Sequence, residues 1–109
     1  MKWAARYASA MKDALSLASS LRIPEGILSH NLQGEEVILN LSTGVYFGLD
    51  PIGTRIWHLI HKQQSLQKVL GTLLEEYDVT EVPCTQDLLN LVVQMRKKGL
   101  VEIGDGTAP

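Results

Sequence analysis

Sixteen residues constrain the fold more than any other part of the chain: Ser42-Thr43-Gly44-Val45-Tyr46-Phe47-Gly48-Leu49-Asp50-Pro51-Ile52-Gly53-Thr54-Arg55-Ile56-Trp57. Ser42-Thr43-Gly44 is a turn signal between two apolar runs, the bend of a β-hairpin. Val45 to Leu49 has the β-branched and aromatic composition of a strand. Asp50 can cap a helix, and Pro51 then falls at the first helical position, where its missing N–H costs nothing. Ile52, Ile56, Leu59 and Ile60 follow at helical spacing with Trp57 beside them, a core-type stripe. None of these residues is catalytic on its face.

The rest of the chain extends that frame. Gly26 to Asn31 predicts a strand, Gln33-Gly34-Glu35 a turn, and Glu36 to Leu41 a second strand in which Val37, Leu39 and Leu41 make one face more apolar. Pro51 to about His61 and Leu66 to about Tyr77 predict two helices, with Ser65 as cap between them. A third runs from about Thr85 to Lys98 and stops at Gly99, with Lys97 and Lys98 well placed for the helix dipole. Leu100 to Ile103 reads as a short strand and 104–109 as a loose tail. Strands followed by helices give an α+β class. Residues 1–22 read as a basic, alanine-rich helical extension. Its stripe of Trp3, Tyr7, Met11, Leu15, Ala18 and Leu21 expects burial on the domain or on a second copy, so a homodimer through this helix is one expectation. A helix lying on a membrane surface is the alternative.

Composition removes several functions. The 109 residues carry a formal net charge of −2, and nucleic-acid binding draws on clustered Lys and Arg. The single cysteine, Cys84, excludes an intrachain disulfide and a Cys-based zinc site, and suits a cytoplasmic protein. No apolar run approaches the roughly 20 residues of a membrane span.

No constellation of residues supports catalysis. His58 and His61 have metal-ligand spacing on a helix but no third ligand nearby in sequence, and His30 stands alone. Cys84, beside Pro83 before a helix, is a candidate reactive thiol without a neighbouring base. A residue with no chemical role is the better reading. Glu35-Glu36 and Glu75-Glu76 are adjacent pairs whose side chains diverge. Gly44, Gly48 and Gly53 lack the Lys-Ser/Thr of a phosphate loop. No cofactor, metal or catalytic residue is expected. On the closing helix Leu88, Val92 and Met95 form one stripe, and Leu89, Val93 and Arg96 form a second with Lys97 beside it. By spacing alone the second stripe fits a buried helix or a groove wall equally.

The turn, the aromatic strand and the run Leu49-Asp50-Pro51-Ile52-Gly53-Thr54-Arg55-Ile56-Trp57 resemble the signature of PqqD-like proteins, the RiPP recognition elements. The resemblance spans about residues 23–103, with the helical run Leu66 to Tyr77, Tyr77-Asp78-Val79, and Leu88 to Gly99 before Leu100-Val101 as its other parts. It implies a winged-helix-like domain, a three-stranded antiparallel sheet packed on three helices. It also implies a non-catalytic module that binds the leader of a ribosomally made precursor peptide and delivers it to a modifying enzyme. That enzyme is a leader peptidase or cyclase of a lasso-peptide system, favoured by Ser42 to Phe47, or a radical-SAM enzyme. The leader would lie between the third strand and third helix, against Val45, Tyr46, Phe47, Gly48, Leu49, Leu89, Val93, Arg96 and Lys97. Two other functions compete. A DNA-binding regulator needs a basic recognition helix, and Leu66 to Tyr77 offers only Gln67 and Lys68 against Glu75 and Glu76. A small structural subunit would pair its edge strand with a copy of itself.

Overall fold

Two turns set the sheet. In the computed structural model, which describes residues 16–104, β2 (Ile27–Leu32) and β3 (Glu35–Asn40) are joined by Gln33 and Gly34 alone. Both adopt positive φ, 56° and 90°, the two-residue geometry that matches the twist of a hairpin. Asn31 Oδ1 accepts from Gly34 N at 2.9 Å and holds the turn. Asn40 organises the next one: Gly44 N donates to its carbonyl and Ser42 N to its Oδ1. The chain then returns as β4 (Val45–Gly48). The antiparallel order is β2-β3-β4, in a register that aligns Leu28, Leu39 and Tyr46 across the sheet.

Three helices cover one face. Asp50 Oδ1 accepts from Gly53 N at 2.7 Å and starts α1 (Pro51–Gln63), with Pro51 in the first turn. Ser65 starts α2 (Leu66–Glu76), and Arg55 Nε donates to Glu76 Oε1 at 2.9 Å, tying the two helices together. α3 (Glu81–Lys97) begins a turn earlier than Thr85. Pro83 falls inside its first turn, where a backbone N–H has no helical partner to lose, so the proline does not mark the boundary. Gly99, at φ 73°, ends the helix with Leu100 N donating to Met95 O. The core joins Ile38 and Leu49 to Ile56, Trp57, Leu59, Ile60, Leu66, Val69, Leu70, Leu73, Leu88, Val92 and Met95. Trp57 is 1% exposed, a core anchor whose Nε1 finds no partner among the described residues.

The alternation along β3 runs opposite to its hydrophobicity. Glu36, Ile38 and Asn40 face the helices and are buried, while Val37 and Leu39 share the outer face with Leu28, His30 and Tyr46. Hydrogen bonds decide this. Glu36 N donates to Thr54 Oγ1 at 2.8 Å, and its carboxylate meets Asn31 and His58, while Asn40 Nδ2 donates to Lys98 O. Both inward polar residues are therefore satisfied, and a one-residue slip would strand them.

The chain's ends also differ from the expectation. Ser16 to Ser19 form a turn, and Leu21–Arg22 is a strand, β1, paired with β5 (Glu102–Ile103). Leu21 is 2% exposed, so this stretch belongs to the fold and not to a helical extension. The rest of the expected helix, residues 1–15, lies outside the described residues, as does the tail beyond 104.

Candidate functional site: the β4 edge and the α3 groove

β4 is an edge strand. Leu49 N donates to Glu36 O, and bonding alternates along an antiparallel pair, so Val45 and Phe47 also turn their backbone groups toward β3. The N–H and C=O groups of Tyr46 and Gly48 therefore face away from the sheet, a template for another strand.

A groove runs between this edge and α3. Phe47, Gly48 and Leu49 form one wall, Asp50, Ile52, Gly53 and Ile56 the floor, and Asp87, Leu91 and Gln94 the other wall, enclosing about 390 Å³. It passes by Ile52, Ile56 and Asp87 to a smaller apolar cavity of about 140 Å³, bordered by Leu73, Tyr77, Val79 and Cys84. Ile52, expected in the core, is 53% exposed at this junction, because it sits in the first turn of α1 before the helix settles on the core. At the opposite end a hollow is lined by Asn40, Thr43, Val45, Lys97, Lys98 and Gly99.

The structure thus brings Phe47, Gly48 and Leu49 together in the groove, and Val45 with Lys97 at its end. Tyr46 points to the outer sheet face and is 68% exposed. Leu89, Val93 and Arg96 do not line the groove. At about 100° per residue they lie roughly a quarter-turn to one side of the buried Leu88-Val92-Met95 stripe, and Asp87, Leu91 and Gln94 roughly a quarter-turn to the other. Leu89 packs against the core, and Val93 is 38% exposed. The groove-facing residues mix an acid, an amide and one leucine, a flank with no periodic signal to find it by.

The titratable groups near α1 and α3 have structural surroundings. Burial pushes the Cys84 thiol up, and Asp87 adds to the effect, so the sulfur is a neutral lining atom. Burial also raises Glu36, but hydrogen bonds from Asn31, His58 and Ser29 and the His58 charge outweigh it, holding its pKa below the ordinary carboxylate value. His58 Nε2 lies 3.0 Å from Glu36 Oε1, while the His61 ring packs edge-on against Trp57, so the two histidines serve different neighbours. No group of three or more His, Cys, Asp or Glu side chains among the described residues could hold a metal ion, and no described helix is long and apolar enough to cross a membrane.

The sequence profile of coenzyme PQQ synthesis protein D, PqqD, matches residues 35–101. The chain belongs to the PqqD family. Among solved structures similar to this PqqD-family domain is TbiB1 in complex with the TbiA(beta) leader peptide. It is 32% identical, with 77% of this chain and 99% of that chain covered and a TM-score of 0.72. A lasso peptide synthetase B1 complexed with the leader peptide shares the fold at 22% identity, covering 75% of this chain and 96% of that one, with a TM-score of 0.69. No curated protein is matched by the sequence.

Proposed function

We propose that this PqqD-family chain is a winged-helix-type peptide-binding module that captures the leader of a ribosomally synthesised precursor peptide. It then delivers the peptide to a modifying enzyme. The observation that carries this reading is the open β4 edge running along a groove walled by α3. An extended peptide adds there as a strand. Its main chain bonds Tyr46 and Gly48, and its side chains enter the space between Phe47, Leu49, Ile52, Leu91 and the cavity beyond. The bound leader seen in TbiB1, whose whole length aligns with most of this chain, supports the assignment. The resemblance of Ser42 to Phe47 to lasso-type proteins favours a lasso-type leader peptidase and cyclase as recipients over a radical-SAM enzyme. The module's work is binding and presentation, with no chemical step of its own.

Titration calorimetry with synthetic leaders of the short precursors encoded beside this gene tests the reading. One leader should bind 1:1 with roughly −8 to −12 kcal/mol, the micromolar to nanomolar range. Absence of heat for all of them refutes it.

A further inference from the structure

The groove carries opposite charges at its two ends. Where β4 finishes, Asp87 borders both the main cavity and the apolar one beyond it, with the capping carboxylate of Asp50 on the same floor. Where β4 begins, Lys97 and Lys98 line the hollow with Val45 and Thr43, and no acid shares that lining. Ion pairs among the described residues join Arg22 to Glu102, Arg55 to Glu76 and His58 to Glu36, so Asp87, Lys97 and Lys98 are uncommitted within them.

Asp87 and Lys97 are ten positions apart on one helix, so about 15 Å separates the two ends. That exceeds the screening length of about 8 Å at physiological salt, so each end selects its own partner charge. An extended ligand advances about 3.3 Å per residue, so the span corresponds to about four to five of its residues. Of these, four is the even spacing, the one that keeps both side chains on the face turned toward α3. The described strands pair antiparallel throughout, and a ligand strand continuing that pattern enters at the Asp87 end and leaves at the Lys97 end.

Resting on the leader-binding reading, we propose that the groove selects a leader with a basic residue followed four positions later by an acidic one. The basic side chain sits beside Asp87 and the acidic one beside Lys97 and Lys98. Charge order then fixes the direction and register of a strand whose main-chain bonds alone would permit slippage.

A display library of random 14-residue peptides, selected on the full chain at low salt, tests this. The expected winners carry Lys or Arg at one position and Asp or Glu four residues after it, around apolar residues. A purified winner with the two charges exchanged should bind about three- to tenfold more weakly, and the difference should shrink at 0.5 M salt. Selection on Asp87→Lys should remove or invert the preference at the first position. Selection on Lys97→Glu with Lys98→Glu should do so at the second. All three are exposed side chains, and circular dichroism should report a native fold. Winners without charge order overturn the proposal while leaving the strand-binding reading intact. So does a charge order that survives both charge reversals, or one that runs acidic to basic. Failure to enrich any peptide overturns both.

Discussion

Replacing Leu91 and Val93 separately with aspartate distinguishes the two flanks of α3. Leu91 is half-buried in the groove wall, and a ligand could cover the rest of its side chain. Full burial of a leucine is worth about 1.5–3 kcal/mol, so the exposed remainder leaves at most about 1 kcal/mol for a ligand. Leu91→Ala should therefore raise the leader's Kd by up to about fivefold. Leu91→Asp should cost at least about another tenfold, because the carboxylate would be desolvated under the ligand beside Asp87. Val93, on the opposite flank and 38% exposed, should accept aspartate with Kd changed by less than about twofold. Val92 is 0% exposed, and Val92→Asp should unfold the domain. Fluorescence anisotropy with a labelled leader gives the affinities, and circular dichroism confirms that the Leu91 and Val93 variants are folded. If Val93→Asp abolishes binding in a native domain while Leu91→Asp binds normally, the groove is formed by Leu89, Val93 and Arg96, and the geometry derived above is refuted.

Three further outcomes are expected. Gly99→Ala forces an alanine to φ 73° with its Cβ about 2.9 Å from Asn40 Nδ2, and should cost about 1–2 kcal/mol, lowering Tm by several degrees in calorimetry. The lowered pKa of Glu36 means its stabilisation is present above the ordinary carboxylate value and is lost as pH falls through the folded value. Glu36→Gln should therefore be less stable at neutral pH and show a shallower loss of stability below about pH 5 in acid titration. A chain starting at Ser16 should keep the melting transition and leader affinity of the full protein but change its association on a sizing column. One starting at Ile23 should melt earlier, since it loses buried Leu21 and the β1–β5 pairing.

Local rules account for the elements read correctly from sequence. Asp50-Pro51, Ser65 and Gly99 start or stop helices through backbone geometry that depends on few neighbours, and the structure bears out all of them. Facing was harder to read. On β3 the more apolar side turns outward because Glu36 and Asn40 find partners on α1 and after α3, contacts across 18 and 58 positions that periodicity cannot see. On α3 spacing left the flank of Leu89 and Val93 open between burial and a groove wall, and the resemblance placed the groove there, yet the mixed flank with Asp87 and Gln94 faces β4. In both elements the side that meets its neighbour was set by long-range polar fit or by helix phase, which local hydrophobicity does not encode.

The hydrogen bond from Asn40 to Lys98 O gives the groove a fixed gauge. One side-chain amide joins the strand turn to the end of the opposing helix, and the same residue's carbonyl and Oδ1 shape the turn itself. The two walls therefore cannot spread at that end without breaking this part-buried contact. A receptor held this way has little freedom to surrender when a strand arrives, so the ordering cost falls on the incoming chain. Ligand side chains too bulky for the preset gap would then be refused by a polar contact that need not touch them.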